Sequence, residues 1–122
     1  MKFRFPIVII DEDFRSENTS GLSIRGLAQA IEKEGFEVLG VTSYGDLSQF
    51  AQQQSRASAF ILSIDDEEFQ AGGGEDPIVR DLRDFITEVR RKNPDVPIYI
   101  YGETKTSRHL PNDILRELHG FI

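Results

Sequence analysis

Residues 60–69 read FILSIDDEEF, and residues 5–14 read FPIVIIDEDF. In each, a short apolar run stops abruptly on a group of acids. Ile7 to Ile10 is a continuous β-branched run, the pattern of a strand buried on both faces. Strands of that kind belong to parallel sheets covered by crossover helices, and the sequence around them alternates accordingly. Ile24, Leu27, Ala28 and Ile31 fall at i, i+3, i+4 and i+7, which predicts a helix opening near Ser20-Gly21 and capped by Gly35. Phe36 to Val41 reads as a second strand. Ser43 is placed to cap a short helix carrying Leu47, Phe50 and Ala51. Ala59 to Ile64 is the third strand.

The second half repeats the alternation. QAGGGED (70–76) is too rich in glycine to lie inside an element. Asp76-Pro77 pairs a capping residue with proline at the first helical position. The helix it opens has a core stripe of Ile78, Leu82, Phe85, Ile86 and Val89, and Asn93-Pro94 ends it. Arg90, Arg91 and Lys92 fall in its last turn, where they complement the helix dipole. Pro97 to Tyr101 is a fourth strand. A short helix follows with Ile114, Leu115 and Leu118, and Gly120-Phe121-Ile122 is a fifth strand. The order β-α-β-α-β-α-β-α-β predicts an α/β three-layer sandwich: a five-stranded parallel sheet of flavodoxin- or receiver-like order 2-1-3-4-5, with helices on both faces. Residues 1–122 form one domain.

Composition excludes several classes of function. The net charge of −7 disfavours nucleic acid, which needs a cationic face. The absence of cysteine removes disulfides, thiolate metal sites and a cysteine nucleophile, and fits a cytoplasmic protein. No apolar run approaches the ~20 residues of a membrane helix, so no membrane partner is expected.

In the order 2-1-3-4-5, strands 1 and 3 are neighbours and their carboxyl ends flank the switch point where such folds hold ligands. Asp11, Glu12 and Asp13 should therefore lie near Asp65 and Asp66. Converging carboxylates raise one another's pKa or recruit a cation. This layout resembles the response-regulator receiver, in which acids after strand 1 hold Mg²⁺ and an aspartate after strand 3 accepts a phosphoryl group. Asp11 with Glu12 or Asp13 matches the first role, and Asp65 or Asp66 the second. The rest departs from the pattern. Strand 4 runs into Gly102-Glu103, Thr104 comes late, no lysine follows strand 5, and Glu67, Glu68 and Glu103 would repel a phosphodonor. The acids read as solvated strand ends, forming at most a weak cation site at Asp11, Asp13, Asp65 and Asp66.

Other constellations are weaker. SENTSGL (16–22) offers hydroxyls and a glycine at a helix start, but acids surround it and ordinary N-capping explains it. There is no dinucleotide fingerprint and no P-loop, which leaves a flavodoxin-like carrier without a phosphate cradle. His109 and His119 share no helical face with other ligand types, and Ser63 has no nucleophile elbow around it. No catalytic, cofactor-binding or metal residue is assigned.

Taken as a string, the chain resembles a known family. FPIVIIDEDF, GLAQAIEKEGFEVLGVTSYGDL, AFILSIDDE and VPIYIYGETKTSRHLPNDILRELHGFI are similar to the N-terminal wing domain of bacterial Orn/Lys/Arg decarboxylases. The most telling parts are the Glu34-Gly35-Phe36 junction into strand 2, Pro97-Ile98-Tyr99 through Gly102-Glu103, and Asn112 to Ile122. The resemblance implies a receiver-like domain that has lost phosphotransfer, without catalytic machinery of its own. It is expected to be a fragment of a longer carbon–carbon lyase that uses pyridoxal phosphate on arginine, lysine or ornithine. An uncovered, very short edge strand at the end fits that expectation. The partners implied are the remaining decarboxylase domains, in a homo-oligomer associated with acid resistance. In the lysine branch a stringent-response nucleotide binds near the wing, and Arg116 is the basic residue placed to correspond. The alternative is a stand-alone receiver phosphorylated on aspartate.

Overall fold

The computed structural model describes residues 6–43, 56–64, 77–101 and 110–122. Its elements, in chain order, are β1 (Ile7–Ile10), α1 (Thr19–Lys33), β2 (Val38–Val41), β3 (Ala59–Ser63), α2 (Pro77–Lys92), β4 (Ile98–Tyr101), α3 (Asn112–Leu115) and β5 (Gly120–Phe121). All strand pairs are parallel, and the sheet order is β2-β1-β3-β4-β5. The helix expected at Leu47, Phe50 and Ala51 and the glycine-rich segment 70–76 lie outside the described residues.

Alternation along each strand sorts the core into two layers. Val8, Phe60, Leu62, Ile98 and Ile100 face α2 and α3, packing with Leu82, Phe85, Val89 and Ile114. The Phe60 and Phe85 rings meet edge to face, with centroids 5.3 Å apart and planes at 81°. Ile9 and Ile61 face the other way and meet Ile24 and Ala28 of α1, with Ile7, Leu27, Ile31, Tyr99 and Tyr101 around them. β1 is thus buried on both faces, as its unbroken apolar run requires.

Helix α1 starts slightly earlier than its apolar stripe suggests. Asn18 is extended, and its side chain accepts the Gly21 amide at 2.8 Å, satisfying a donor that the first turn leaves free. At the other end Gly35 has φ 95°, the left-handed conformation that releases the chain into β2. Gly21 and Gly40 are sites of close approach: a Cβ on Gly21 would strike the carbonyl oxygens of Ser16 and Asp13, and one on Gly40 would strike the Phe14 ring. Among the described residues, no helix is long and apolar enough to cross a membrane.

Candidate functional site

The carboxyl edge of the sheet carries the first group of predicted acids. Asp11 follows β1 directly, is buried at 7% exposure, and donates its amide to the Val41 carbonyl at 3.0 Å. Its Oδ1 accepts the Asp13 amide at 2.8 Å. The half-buried Asp13 turns its own Oδ1 toward the Ser16 hydroxyl at 3.4 Å and the Asn18 amide at 3.3 Å, while Glu12 is exposed. One nitrogen of the Arg25 guanidinium donates to the carbonyls of Phe14 and Ser16, both at 2.7 Å. Asp11 and Asp13 therefore organise the loop that leads into α1. In this arrangement each has an oxygen committed to chain groups.

β1 and β3 run side by side, with Ile10 opposite Leu62, so the carboxyl ends of the two strands are neighbours. Asp65, Asp66, Glu67, Glu68, Gly102, Glu103, Thr104 and His109 lie outside the described residues. Among the described residues no group of three His, Cys, Asp or Glu side chains is placed to hold a metal. Ser63 ends β3, half-buried, opposite Tyr101. The Tyr101 hydroxyl shares a 2.6 Å hydrogen bond with that of Ser23, tying β4 to α1. His119 is exposed, packs its ring against Tyr99 at 5.3 Å, and donates its amide to the Ile98 carbonyl at 2.7 Å.

The most elaborate polar structure is one the sequence reading assigned only to the helix dipole. Arg90 joins three segments. Its Nε donates to Glu117 Oε2 at 2.7 Å and one terminal nitrogen to the Glu117 carbonyl at 2.9 Å. The other terminal nitrogen reaches the carbonyls of Val96 at 2.7 Å and Pro94 at 3.1 Å. One turn pair earlier, Arg83 forks onto both oxygens of Asp113 at 2.8 and 3.3 Å. That pairing holds the Asp113 carboxyl below its ordinary pKa, and the Lys92 and Arg91 cations do the same for Glu88. The signal was present in the sequence: Arg83 and Arg90 are seven apart on one helical face, and Asp113 and Glu117 are four apart, in α3 and the turn that follows it. Between the two pairs lies an open cleft of about 480 Å³ with Ile86 and Ile114 at its base. Arg116, which falls between Asp113 and Glu117 in the sequence, is exposed and donates its amide to the Asn112 carbonyl at 3.0 Å.

Comparison with known proteins gives a consistent picture. Residues 19–122 match the sequence profile described as "Orn/Lys/Arg decarboxylase, N-terminal domain". The lysine decarboxylase LdcA of Pseudomonas aeruginosa is 25% identical over 117 residues, which is 95% of this chain and 15% of that protein. The solved lysine decarboxylase A from Pseudomonas aeruginosa superimposes with a TM-score of 0.68 at 25% identity, covering 98% of this chain and 16% of that one. A response-regulator receiver domain from Clostridium thermocellum superimposes with a TM-score of 0.63 at 15% identity, over 96% of this chain and 79% of its own. A receiver protein from Pseudomonas putida gives 0.60 at 14%, over 100% and 87%. The two receivers establish the fold alone.

Proposed function

Because the chain belongs to the Orn/Lys/Arg decarboxylase N-terminal domain family, we propose that it is a non-catalytic assembly and regulatory domain. Its parent would be a cytoplasmic, pyridoxal-phosphate-dependent decarboxylase of arginine, lysine or ornithine. The observation that carries this reading is the extent of the match. Sequence similarity to a lysine decarboxylase runs over 95% of the chain, yet occupies only 15% of that enzyme.

The chemistry of the described residues supports a division of labour. Pyridoxal phosphate is held covalently by a lysine, and it supplies the electron sink for decarboxylation. The described residues include two lysines. Lys92 pairs with Glu88 at 3.1 Å, and Lys33 is exposed in the last turn of α1. Cofactor and substrate are assigned to the remaining domains of a homo-oligomeric parent, because the match spans only 15% of the lysine decarboxylase. The acids Asp11 and Asp13, with Asp65 and Asp66, are assigned to the strand ends rather than to catalysis. Arg116, which is exposed, is assigned as the basic contact for a nucleotide effector.

Two assays on the chain test the reading. Incubated with pyridoxal phosphate, it gains no aldimine absorbance and releases no CO₂ from arginine, lysine or ornithine; substrate-dependent release overturns the assignment. Incubated with acetyl phosphate and Mg²⁺, it keeps its mass. A gain of one phosphoryl group, abolished by Asp65→Asn or Asp66→Asn, would make it a working receiver instead.

A further inference from the structure

The two edges of the sheet differ. β5 spans 2 residues, Gly120–Phe121, whereas β2 spans 4, Val38–Val41. The outward amides and carbonyls of an edge strand invite another strand, and proteins ordinarily blunt them with a charged side chain, a proline or a bulge. β2 has none of these. Its sequence is Val-Leu-Gly-Val, and its register against β1 is unbroken from Ile7–Val38 to Ile10–Val41. The register also fixes which groups point outward, because alternate residues of a strand bond to each neighbour. The Glu37 carbonyl accepts the Ile7 amide at 2.8 Å and the Val41 carbonyl accepts the Asp11 amide at 3.0 Å, so Glu37, Leu39 and Val41 turn their carbonyls toward β1. Val38 and Gly40 turn their amides and carbonyls the other way. Among the described residues no hydrogen bond reaches those groups.

This edge is complementary to itself. When a second copy runs antiparallel beside it with Leu39 opposite its own counterpart, Val38 falls opposite Gly40 in both directions. Val38 and Gly40 then exchange amide-to-carbonyl bonds as hydrogen-bonded pairs, and the two Leu39 residues form the non-hydrogen-bonded pair between them, with Cα atoms about 4.5 Å apart. Centring on Leu39 is the arrangement that pairs the outward groups of β2 with one another. It also sets Glu37 opposite Val41, and the exposed Phe36 opposite Thr42, so no like charges meet across the strands.

We propose that β2 pairs antiparallel with β2 of a second copy of this chain, across a two-fold axis at Leu39, joining two five-stranded sheets into one. The inference is independent of the functional reading above, since it uses only the backbone groups of this edge and the side chains beside them.

Sedimentation and thiol cross-linking of the 122-residue chain test it. Across a concentration series the sedimenting mass doubles. Val38→Pro removes an outward amide without taking one from the β1 ladder, and it holds the chain at the monomer mass with an unchanged circular dichroism spectrum. The chain contains no cysteine, so a single introduced thiol reports one position. Under mild oxidation Leu39→Cys forms a disulfide-linked dimer several-fold faster than Glu37→Cys. The paired Leu39 positions lie within the disulfide range of about 4.4–6.8 Å between Cα atoms, while Glu37 meets Val41 rather than its own counterpart. A chain that stays monomeric at every concentration overturns the proposal, as does a dimer that a folded Val38→Pro leaves intact. Where Val38→Pro unfolds the chain, the thiol pair decides: Leu39→Cys linking no faster than Glu37→Cys overturns the pairing, and dimers formed through any other surface give that result.

Discussion

Two glycines five positions apart on α1 should respond to the same substitution with opposite signs. Gly26 is exposed and a Cβ built on it meets nothing within 4 Å. Gly26→Ala therefore adds no contact and removes none. It lowers the backbone entropy of the unfolded chain at a helix-interior position, a gain of about 1 kcal/mol. Gly21→Ala receives the same propensity gain but places its Cβ 2.6 Å from the Asp13 carbonyl oxygen and closer still to that of Ser16. Both are backbone atoms, held by the Arg25 guanidinium, the Ser16 amide on the Asp13 carbonyl, and the Asn18 cap. The loop cannot yield without loosening those bonds. Overpacking of this kind costs about 1–3 kcal/mol, and losing the cap adds about 1 more. The net is a loss of about 1–3 kcal/mol after the propensity gain is subtracted. Urea unfolding followed by circular dichroism measures both, and a change of 1 kcal/mol moves the thermal midpoint by roughly 3–6 °C in a domain of this size. A neutral or stabilising Gly21→Ala would refute the packing of loop 11–18 against α1. A destabilising Gly26→Ala would refute the open outer face of the helix.

Further substitutions probe the seam and the core. Arg90→Met keeps the aliphatic stem but leaves the carbonyls of Pro94, Val96 and Glu117 without their donor, and should cost about 2–4 kcal/mol in urea unfolding. A cost below that of an ordinary surface change would show that the α2–α3 seam does not depend on it. Phe60→Ala opens a cavity at a fully buried position against Phe85 and should cost about 3–5 kcal/mol. The pairs Arg83–Asp113 and Lys92–Glu88 make acid stability pH-dependent. Asp113 and Glu88 have folded pKa values below their unfolded ones, so their contribution is complete above the unfolded values and is lost as pH falls through the folded ones. Between pH 5 and pH 3 the thermal midpoint of Asp113→Asn should fall less steeply than that of the wild type; parallel curves would show that the pair is not formed in solution.

Much of this fold follows from local pattern. The β-branched run Ile7–Ile10 could be buried on both faces only in a covered parallel sheet, and Pro77 and Gly35 mark helix ends through backbone restrictions that do not depend on tertiary context. The start of α1 was less legible, because Asn18 and Ser20 are both acceptable caps and only the loop geometry selects between them. The starts of β2 and β4 differ from the sequence reading by one or two residues, at Phe36-Glu37 and Pro97, although the Glu37 and Pro97 carbonyls already accept the Ile7 and Phe60 amides. The site was harder still. Adjacency of β1 and β3 could be read from element order, but the inward turn of Asp11 and Asp13 onto their own loop could not, since hydrogen-bond partners within a turn depend on side-chain rotamers. Arg90 was underread for a similar reason. A basic residue in a last helical turn satisfies the dipole argument whether or not it also bridges three segments, and only the pairing of its i, i+7 spacing with Asp113 and Glu117 distinguishes the two.

The central claim, that this domain assembles a decarboxylase without taking part in its chemistry, is tested most directly by sedimentation. The whole polypeptide is run with and without residues 1–122, and CO₂ release per mole of bound pyridoxal phosphate is measured on the same samples. The account predicts smaller particles after removal, with release per cofactor retained. Particles of unchanged size, or abolished release from an assembly that still holds its cofactor, would contradict it.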